Sequence, residues 1–448
     1  MANSSDLNAT LDMPASVSLA AQRDAYLNAL IATAKTAVPA DLALADLRTR
    51  AEALLKEETF PSTRQEDWRF TDLSALLSVN FAAAESSTIP ESAIDCLRLP
   101  ETTGAQIVVV NGVFSAELSQ LEQLPEGATV GSLRQLSQNP DLMAKLQTRL
   151  GQASGSHEVF TALNTVGFQD AVVIDLPRNG GIDIPVQILY IHQGQDTLAQ
   201  PRCLVIAETS SALTLVEDFW GTGDGVRLTN AVTEIWLEAN AQLTHSRIQR
   251  EGSGTYHIGK TVITQGRDSQ YLGTEVCFGA KLARHNWETY QTGEQTTTKL
   301  YGLGAITDTQ HADTHSLVAL SHPHGTVEQQ HKAIVDGKAH SVFNGRVAVA
   351  QKAQQTNASQ INRNLLLSDK ARVDTKPQLE IVADDVKCAH GATVSQLQAD
   401  EIFYLQSRGI SPAQAQRLLI YAFAMEMLER ISLESLRGTL AERMTQWA

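Results

Sequence analysis

The stretch FNGRVAVAQKAQQTNASQINRNLLLSDKARVDTKPQLEIVADDVKCAHGAT, residues 343–393, decides how the rest of the chain is read. It consists of short alternating segments separated by turn formers. Near its end it narrows to ADDVKCAHGATV, where alternation puts the chemistry on one side. Successive side chains of an extended strand point to opposite faces, so Val386, Cys388 and His390 share a face while Lys387 and Ala389 point the other way. Residues two apart on a strand lie roughly 6.5–7 Å apart at the backbone, so a thiol and an imidazole can reach toward one metal ion. A closed tetrahedral site takes four donors, and one strand offers two. Either this is no metal site, or other residues complete it, including residues of another chain.

Working outward, the same texture fills residues 172–386. VQILYI (186–191), LTLVE (213–217), AVTEIWLE (231–238), AQLTHSRIQ (241–249), YHIGKTVIT (256–264) and AHSVFNGRVAVA (339–350) alternate, with turn signals between them and no long helical pattern. So many closely spaced strands suit a sandwich, a barrel or a stacked solenoid. No strict residue period is visible, and pattern alone leaves sandwich and solenoid level.

Both ends read as helical. Residues 17–55 carry two apolar stripes, Leu19, Tyr26, Leu30 and Ile31, then Leu42, Leu44, Leu47, Leu54 and Leu55, with Pro39 between them. QIVVVNGVF (106–114) reads as a strand with an Asn-Gly turn, and residues 133–150 as a further helix. At the other end, residues 400–408 predict a short helix stopped by Gly409. Ser411-Pro412 then supplies an N-cap and a first-turn proline for a helix to about Arg430. A last helix places Leu433, Leu436, Leu440, Met444 and Trp447 at three- and four-residue spacing. This apolar surface must be covered, by the open end of the β-structure, by a partner, or by both.

The quoted stretch, together with FYLQSRGIS at 403–411, closely resembles the C-terminal signature of the SufB/SufD family of iron–sulfur cluster scaffolds. RQEDWRFTDL at 64–73 is similar to the tryptophan-containing segment that follows the family's N-terminal helices. In the SufB branch a cysteine typically aligns with Asn362, and a His-Glu pair stands where this chain has His390-Gly391. Asn362 and Gly391 therefore favour the other branch. The resemblance decides the architecture that pattern left open. It implies a mostly β protein, a right-handed parallel β-helix over residues 166–394. An N-terminal helical domain with a few strands (1–165) and a C-terminal helical, ATPase-binding domain (395–448) flank it.

The same resemblance implies a non-catalytic scaffold subunit that pairs with SufB through the β-helix and docks the ATPase SufC on its C-terminal helices. Tyr404, Ser407, Arg408, Leu418 and Tyr421 are the expected contacts with SufC. His390 is the stronger candidate for the iron or cluster site and Cys388 a supporting one. Transient iron or a nascent cluster would lie at the SufB interface, where SufB's cysteine supplies a further donor. No permanent cofactor is implied, and a flavin on the assembled complex is compatible with it. A homodimer of the isolated chain is a further state. Two alternatives stand beside this reading: a SufB-like homodimeric scaffold, and a β-helical enzyme acting on polysaccharide. An aromatic content of 5 % leaves little to line a sugar-binding cleft.

Composition narrows the field independently. A formal charge of −15 argues against nucleic acid, whose phosphates need clustered Lys and Arg. Cys96, Cys203, Cys277 and Cys388 are too sparse and too far apart for a disulfide scaffold, which fits a reducing compartment, and no Cys-x-x-Cys pair exists to hold a cluster alone. The apolar run LLIYAFAMEML is short and broken by Glu426, so no membrane span is expected. The polar first fifteen residues lack a basic segment followed by an apolar one, and a cytoplasmic location is expected.

Three motifs are set aside. GTYHIGKT (254–261) formally matches a phosphate-binding loop, but it leads into an alternating run where that loop requires a helix. Half of the twelve histidines fall in residues 311–340, where His322 and His324 could chelate from one strand face, although Pro323 disturbs that geometry. Asp384 and Asp385 are neighbours on a strand and cannot flank one substrate.

Overall fold

Each core strand finds its parallel partners one turn away in the chain. Val186 pairs with Leu215, Leu215 with His245, His245 with Gly273, Gly273 with Leu300, and the series continues to Gln360 and His390. The result, in the computed structural model, is two facing parallel sheets wound as a β-helix of about eight turns. The model describes residues 18–39, 44–85, 87–221 and 225–445. Leu42, Trp447 and the polar first fifteen residues lie outside this set. Among the described residues one sheet runs from Thr129–Ser132 to Arg372–Ile381, the other from Val113–Phe114 to Val386–Gln396.

The turns differ in length, which is why no period shows in the sequence. Tyr256 stands opposite Leu282, 26 residues on, whereas His340 stands opposite Arg372, 32 residues on. What repeats is a backbone conformation. At the corner leading from the first sheet to the second, Ser210, Asn240, Asp268, Gln295, His324 and Gln355 all take φ between 58° and 62°. The first five donate their N–H to the carbonyl of the residue that precedes their counterpart on the next turn: Ser210 to Ala239, Asn240 to Arg267, Asp268 to Glu294, Gln295 to Pro323, His324 to Gln354, at 2.8–3.0 Å, and Gln355 donates to Asp385 at 2.6 Å. The left-handed region is costly for most side chains and least so for short polar ones. The corner column is therefore polar without being a fixed motif.

Between the sheets lies an apolar core that includes Ile174, Ile188, Val205, Leu215, Ile235, Ile263, Trp287, Leu300, Val318 and Val347. It is interrupted by a buried polar network. Glu217 accepts from Tyr190 Oη at 2.9 Å and lies 3.0 Å from His245 Nε2. Arg247 donates to Glu275 at 3.0 Å, and His257 Nδ1 lies 2.6 Å from Glu251. Burying charges in this way is costly unless every member is paired, and here the carboxylates are.

The N-terminal region packs on the outer face of the first sheet. Helices Leu19–Thr36 and Ala45–Glu57 rest against the fully buried helix Val159–Gly167, which sequence pattern did not reveal. The helix expected over 133–150 is two pieces, Leu133–Leu136 and Pro140–Gln147, because Pro140 opens a new first turn capped by Asn139. The Asn-Gly hairpin is present, with Asn111 at φ 53° and Gly112 at φ 85°, and Gln106–Val110 joins the core sheet beside Val186–His192.

The C-terminal helices Ala399–Ser407, Pro412–Leu428 and Glu434–Thr445 do not cap the β-helix end. Ile420, Ala424, Met427, Leu428, Leu436, Leu440 and Met444 pack on the outer face of the second sheet, against Val216, Ile248, Val276, Leu303, Ile334 and Leu365. Amphipathic spacing shows that a helix face is buried but not which surface buries it, so the end-capping expectation fails while the covered face is real. The β-helix consequently has two unlike ends. Antiparallel strands Thr129–Ser132 and Val113–Phe114 close the first; Arg372–Ile381 and Val386–Gln396 end their sheets with no further strand beside them among the described residues.

Candidate functional site

The open end carries the Cys388–His390 strand. Its register is fixed by the full parallel ladder to Thr356–Leu366: Cys388 opposite Ala358, His390 opposite Gln360, Ala392 opposite Asn362. Ala358, Gln360 and Asn362 are buried in the interior of the β-helix, so Cys388 and His390, in register with two of them, share the interior-facing side. They differ in cover because no turn follows theirs. Cys388 is half-buried and packs against the core, while His390 is exposed. Burial pushes the Cys388 thiol up, with a backbone hydrogen bond at Ala358 acting the other way. A thiol in this state gives up its proton when a metal charge arrives.

Asn362 does not reach toward the open end. Its Nδ2 donates to the His331 carbonyl at 3.3 Å, and its Oδ1 accepts from Asn364 at 2.5 Å. Among the described residues no group of three or more His, Cys, Asp or Glu converges to hold a metal ion. Cys388 and His390 are then two metal-capable side chains on an open strand, and a closed site here would need donors from beyond the described residues.

The rim is exposed and partly apolar. Val386–Gln396 is exposed along most of its length, and Ile361, Ile381, Val382 and Val394 present apolar side chains around it. Unpaired edge strands offer rows of free N–H and C=O groups, and isolated proteins usually blunt them. This edge is eleven residues long and carries one charged side chain, Lys387.

The histidines of the 311–340 span are placed elsewhere in the fold. His322 and His324 sit in a corner; His324 is the left-handed residue of its turn, so the shared strand face does not exist. His311 bonds Thr71 at 2.9 Å and is held near 4 by burial. His340 meets Asp374 at 2.7 Å, and His331 lies in the interior, where burial holds it at about 4. Residues 255–261 belong to the fully buried strand Thr255–Gln265, and Lys260 is spent on the Gly155 carbonyl (2.6 Å) and Glu288 (2.7 Å), so no phosphate loop forms.

A second surface lies on the outer side of the C-terminal helices. Phe403 (71 % exposed), Tyr404 and Leu418 (47 %) point to solvent, and Ile410, Gln414, Arg417, Leu418, Tyr421 and Thr445 line an apolar recess of about 460 Å³. Ser407 donates to the Tyr404 carbonyl at 2.7 Å, and the Arg408 guanidinium lies 5.3 Å from the Tyr404 ring centroid, so these three expected contacts form one cluster. Phe403, which the sequence reading passed over, is the most exposed large apolar side chain among them; its place beside Tyr404 on a polar-looking helix was the available signal. Ser411 caps the following helix through a reciprocal bond with Gln414. Lys332 fixes that helix to the sheet through the Phe423 carbonyl at 3.0 Å and the Glu426 carboxylate.

Residues 190–423 match the family described as the SufBD core domain of SUF-system FeS cluster assembly, and residues 25–188 match the SufBD protein N-terminal region. An iron–sulfur cluster assembly SufBD family protein of Synechocystis is 42 % identical, covering 94 % of each chain. The iron–sulfur cluster assembly protein SufD of Escherichia coli is 33 % identical, over 86 % of this chain and 89 % of its own. A chloroplastic Arabidopsis thaliana protein, ABCI7, is 34 % identical over 88 % and 84 %.

Proposed function

The chain belongs to the SufB/SufD family of iron–sulfur cluster assembly proteins, and from that premise we propose that it is a non-catalytic scaffold subunit. It pairs with a SufB-type subunit through the open end of the β-helix and carries a SufC-type ATPase on the outer side of its C-terminal helices. The observation that carries this reading is the last turn: two sheets end in free edges, and the freer edge holds a pair of soft and borderline donors, Cys388 and His390. Two donors match a site shared between two chains, with the partner supplying the remainder.

Iron or a nascent cluster is cargo in this account, held at the shared interface and released. The half-buried thiol and exposed imidazole lie on one strand face and could share a common ion, and the closing partner edge would exclude water. ATP-driven approach of two ATPase subunits would strain the interface through the rigid hairpin, which Lys332 and Glu426 tie to the second sheet. No helix among the described residues is long and apolar enough to cross a membrane, and the assembly is proposed to work in the cytoplasm.

The test is cluster loading on the complex of this chain with its SufB and SufC counterparts, prepared anaerobically. His390→Ala is expected to lower iron and acid-labile sulfide on an intact complex by about tenfold, the usual order for losing a metal-site contact. Cys388→Ser is expected to have the smaller effect. Unchanged loading with His390→Ala would remove the donor role.

A further inference from the structure

Leu300, Gln329, Gln360 and His390 occupy one register line across four successive strands of the second sheet. Residues paired in a parallel ladder point to the same face, so their side chains stack along the axis of the β-helix. The two glutamines already form a directed chain. Gln329 Nε2 donates to Ser316 Oγ at 3.3 Å, and Gln360 Nε2 donates to Gln329 Oε1 at 2.5 Å. Gln360 is fully buried, and its Oε1 has no hydrogen-bond partner. The amide fills space left by Gly345 on the facing sheet, where a Cβ would come within 2.3 Å of Gln360 Nε2. That space belongs to the amide, and a buried carbonyl oxygen without a donor is a group the fold does not leave idle.

The next position on the line is His390, whose side chain makes no hydrogen bond among the described residues. We propose that Gln360 is the positioning residue of His390: its Oε1 accepts an imidazole N–H, fixing one tautomer and ring plane. The second ring nitrogen then presents its lone pair toward the open end. Metal-ligating histidines are commonly held this way, through the ring nitrogen that does not face the metal. The inference rests on the reading of His390 as a donor, and it adds the element that orients the donor before a partner or an ion arrives. Ser316 and Gln329 anchor the amide from below, so the orienting chain reaches two turns into the fold.

The experiment is ¹⁵N NMR of the full-length chain labelled at histidine, without partner or metal, with the His390 signals assigned by their loss in His390→Ala. The wild-type protein is expected to show one dominant tautomer at His390. In Gln360→Leu the two ring-nitrogen shifts should converge toward the tautomer mixture of an exposed imidazole. In Gln360→Glu, which keeps the side-chain length, a carboxylate beside the ring should raise the His390 proton affinity about tenfold or more. The glutamate variant decides the matter if the leucine variant fails to fold. Identical His390 shifts and titration in the wild type and in a folded variant would overturn the proposal. Because nothing is loaded, that result would leave the donor reading intact, whereas normal cluster loading in His390→Ala would remove the donor reading and leave the hydrogen bond standing.

Discussion

The Arg284 guanidinium lies 4.0 Å from the centroid of the Trp68 ring, and its Nη1 donates to the Asp67 carbonyl at 2.8 Å. The same guanidinium meets Asp313 Oδ2 at 2.5 Å, and Thr71 Oγ1 donates to that oxygen. Trp68 also packs near Phe160, with ring centroids 5.6 Å apart. The segment at residues 64–73 is therefore the clasp that holds the N-terminal region to the first sheet. Trp68→Ala should cost about 3–5 kcal/mol, the range for emptying a buried aromatic site. Denaturant unfolding reads the loss, and hydrogen exchange should show it concentrated in residues 18–165. A cost below about 1 kcal/mol, against that range, would contradict the clasp.

The corner ladder predicts a sharp distinction at one exposed position. Asn240 sits at φ 60° and donates through Nδ2 to Ser210 Oγ at 3.1 Å. Asn240→Gly should change stability by only a few tenths of a kcal/mol, since glycine tolerates this conformation. Asn240→Val should cost about 1–2 kcal/mol, because a β-branched side chain clashes there. Equal effects of the two changes would mean that the corner conformation is not the constraint.

Acid should weaken the protein in two overlapping windows. Burial holds His285 and His331 neutral down to about 4, against an ordinary value of 6.5. Their unfolded forms take up protons first, so stability present above 6.5 is lost as pH falls from 6.5 to about 4. Burial alone would raise Glu251 and Glu275, but His257 beside the first, and His285 and Arg247 beside the second, bring both to about 2 from 4.5. With His285 neutral above about 4, Arg247 is the charge that keeps Glu275 ionised at neutral pH. These two carboxylates contribute stability that is present above 4.5 and lost on acidification toward 2. Unfolding free energy measured from pH 7 to pH 4 should fall throughout. His331→Gln should reduce the slope by up to one proton, about 1.4 kcal/mol per pH unit. A flat profile, or a slope untouched by His331→Gln, would exclude the buried-neutral state.

Leu418 is exposed, and its helix is anchored by residues on the opposite side. Leu418→Glu should therefore leave stability within about 0.5 kcal/mol, as surface changes usually do, while weakening capture of the SufC-type ATPase at least tenfold. Retained capture, measured by calorimetry with the purified subunit, would move the ATPase contact elsewhere.

Alternation located the core strands, and the residues around Cys388 and His390 pointed to the family and through it to the solenoid. The winding itself was hidden for a physical reason. Its repeating feature is a left-handed corner filled by Ser210, Asn240, Asp268, Gln295, His324 or Gln355, and turn length drifts between the pairings of Tyr256 and His340. The helix Val159–Gly167 escaped notice because it is short and buried on all sides: its polar stripe, Thr161, Asn164 and Thr165, is uncharged and turned inward, where Arg202 donates to Asn164 and Thr165. At the site, alternation correctly set Cys388 and His390 on one face. Nothing in the spacing could show that Gln360 stands beside His390, because register between strands a turn apart is a tertiary property.

The last turn of the β-helix is proposed as a docking edge for a second scaffold subunit. That docking is read out by native mass spectrometry, under anaerobic conditions, of this chain co-expressed with its SufB and SufC counterparts, comparing wild type with an Ile381→Lys, Val394→Lys double variant. Both side chains are exposed at the rim, so the variant should fold. The expected result is a wild-type complex containing both partners and a variant that keeps the ATPase but loses the SufB counterpart. A variant complex with SufB still bound, or a wild-type chain that stays alone, would place the SufB contact elsewhere or remove it.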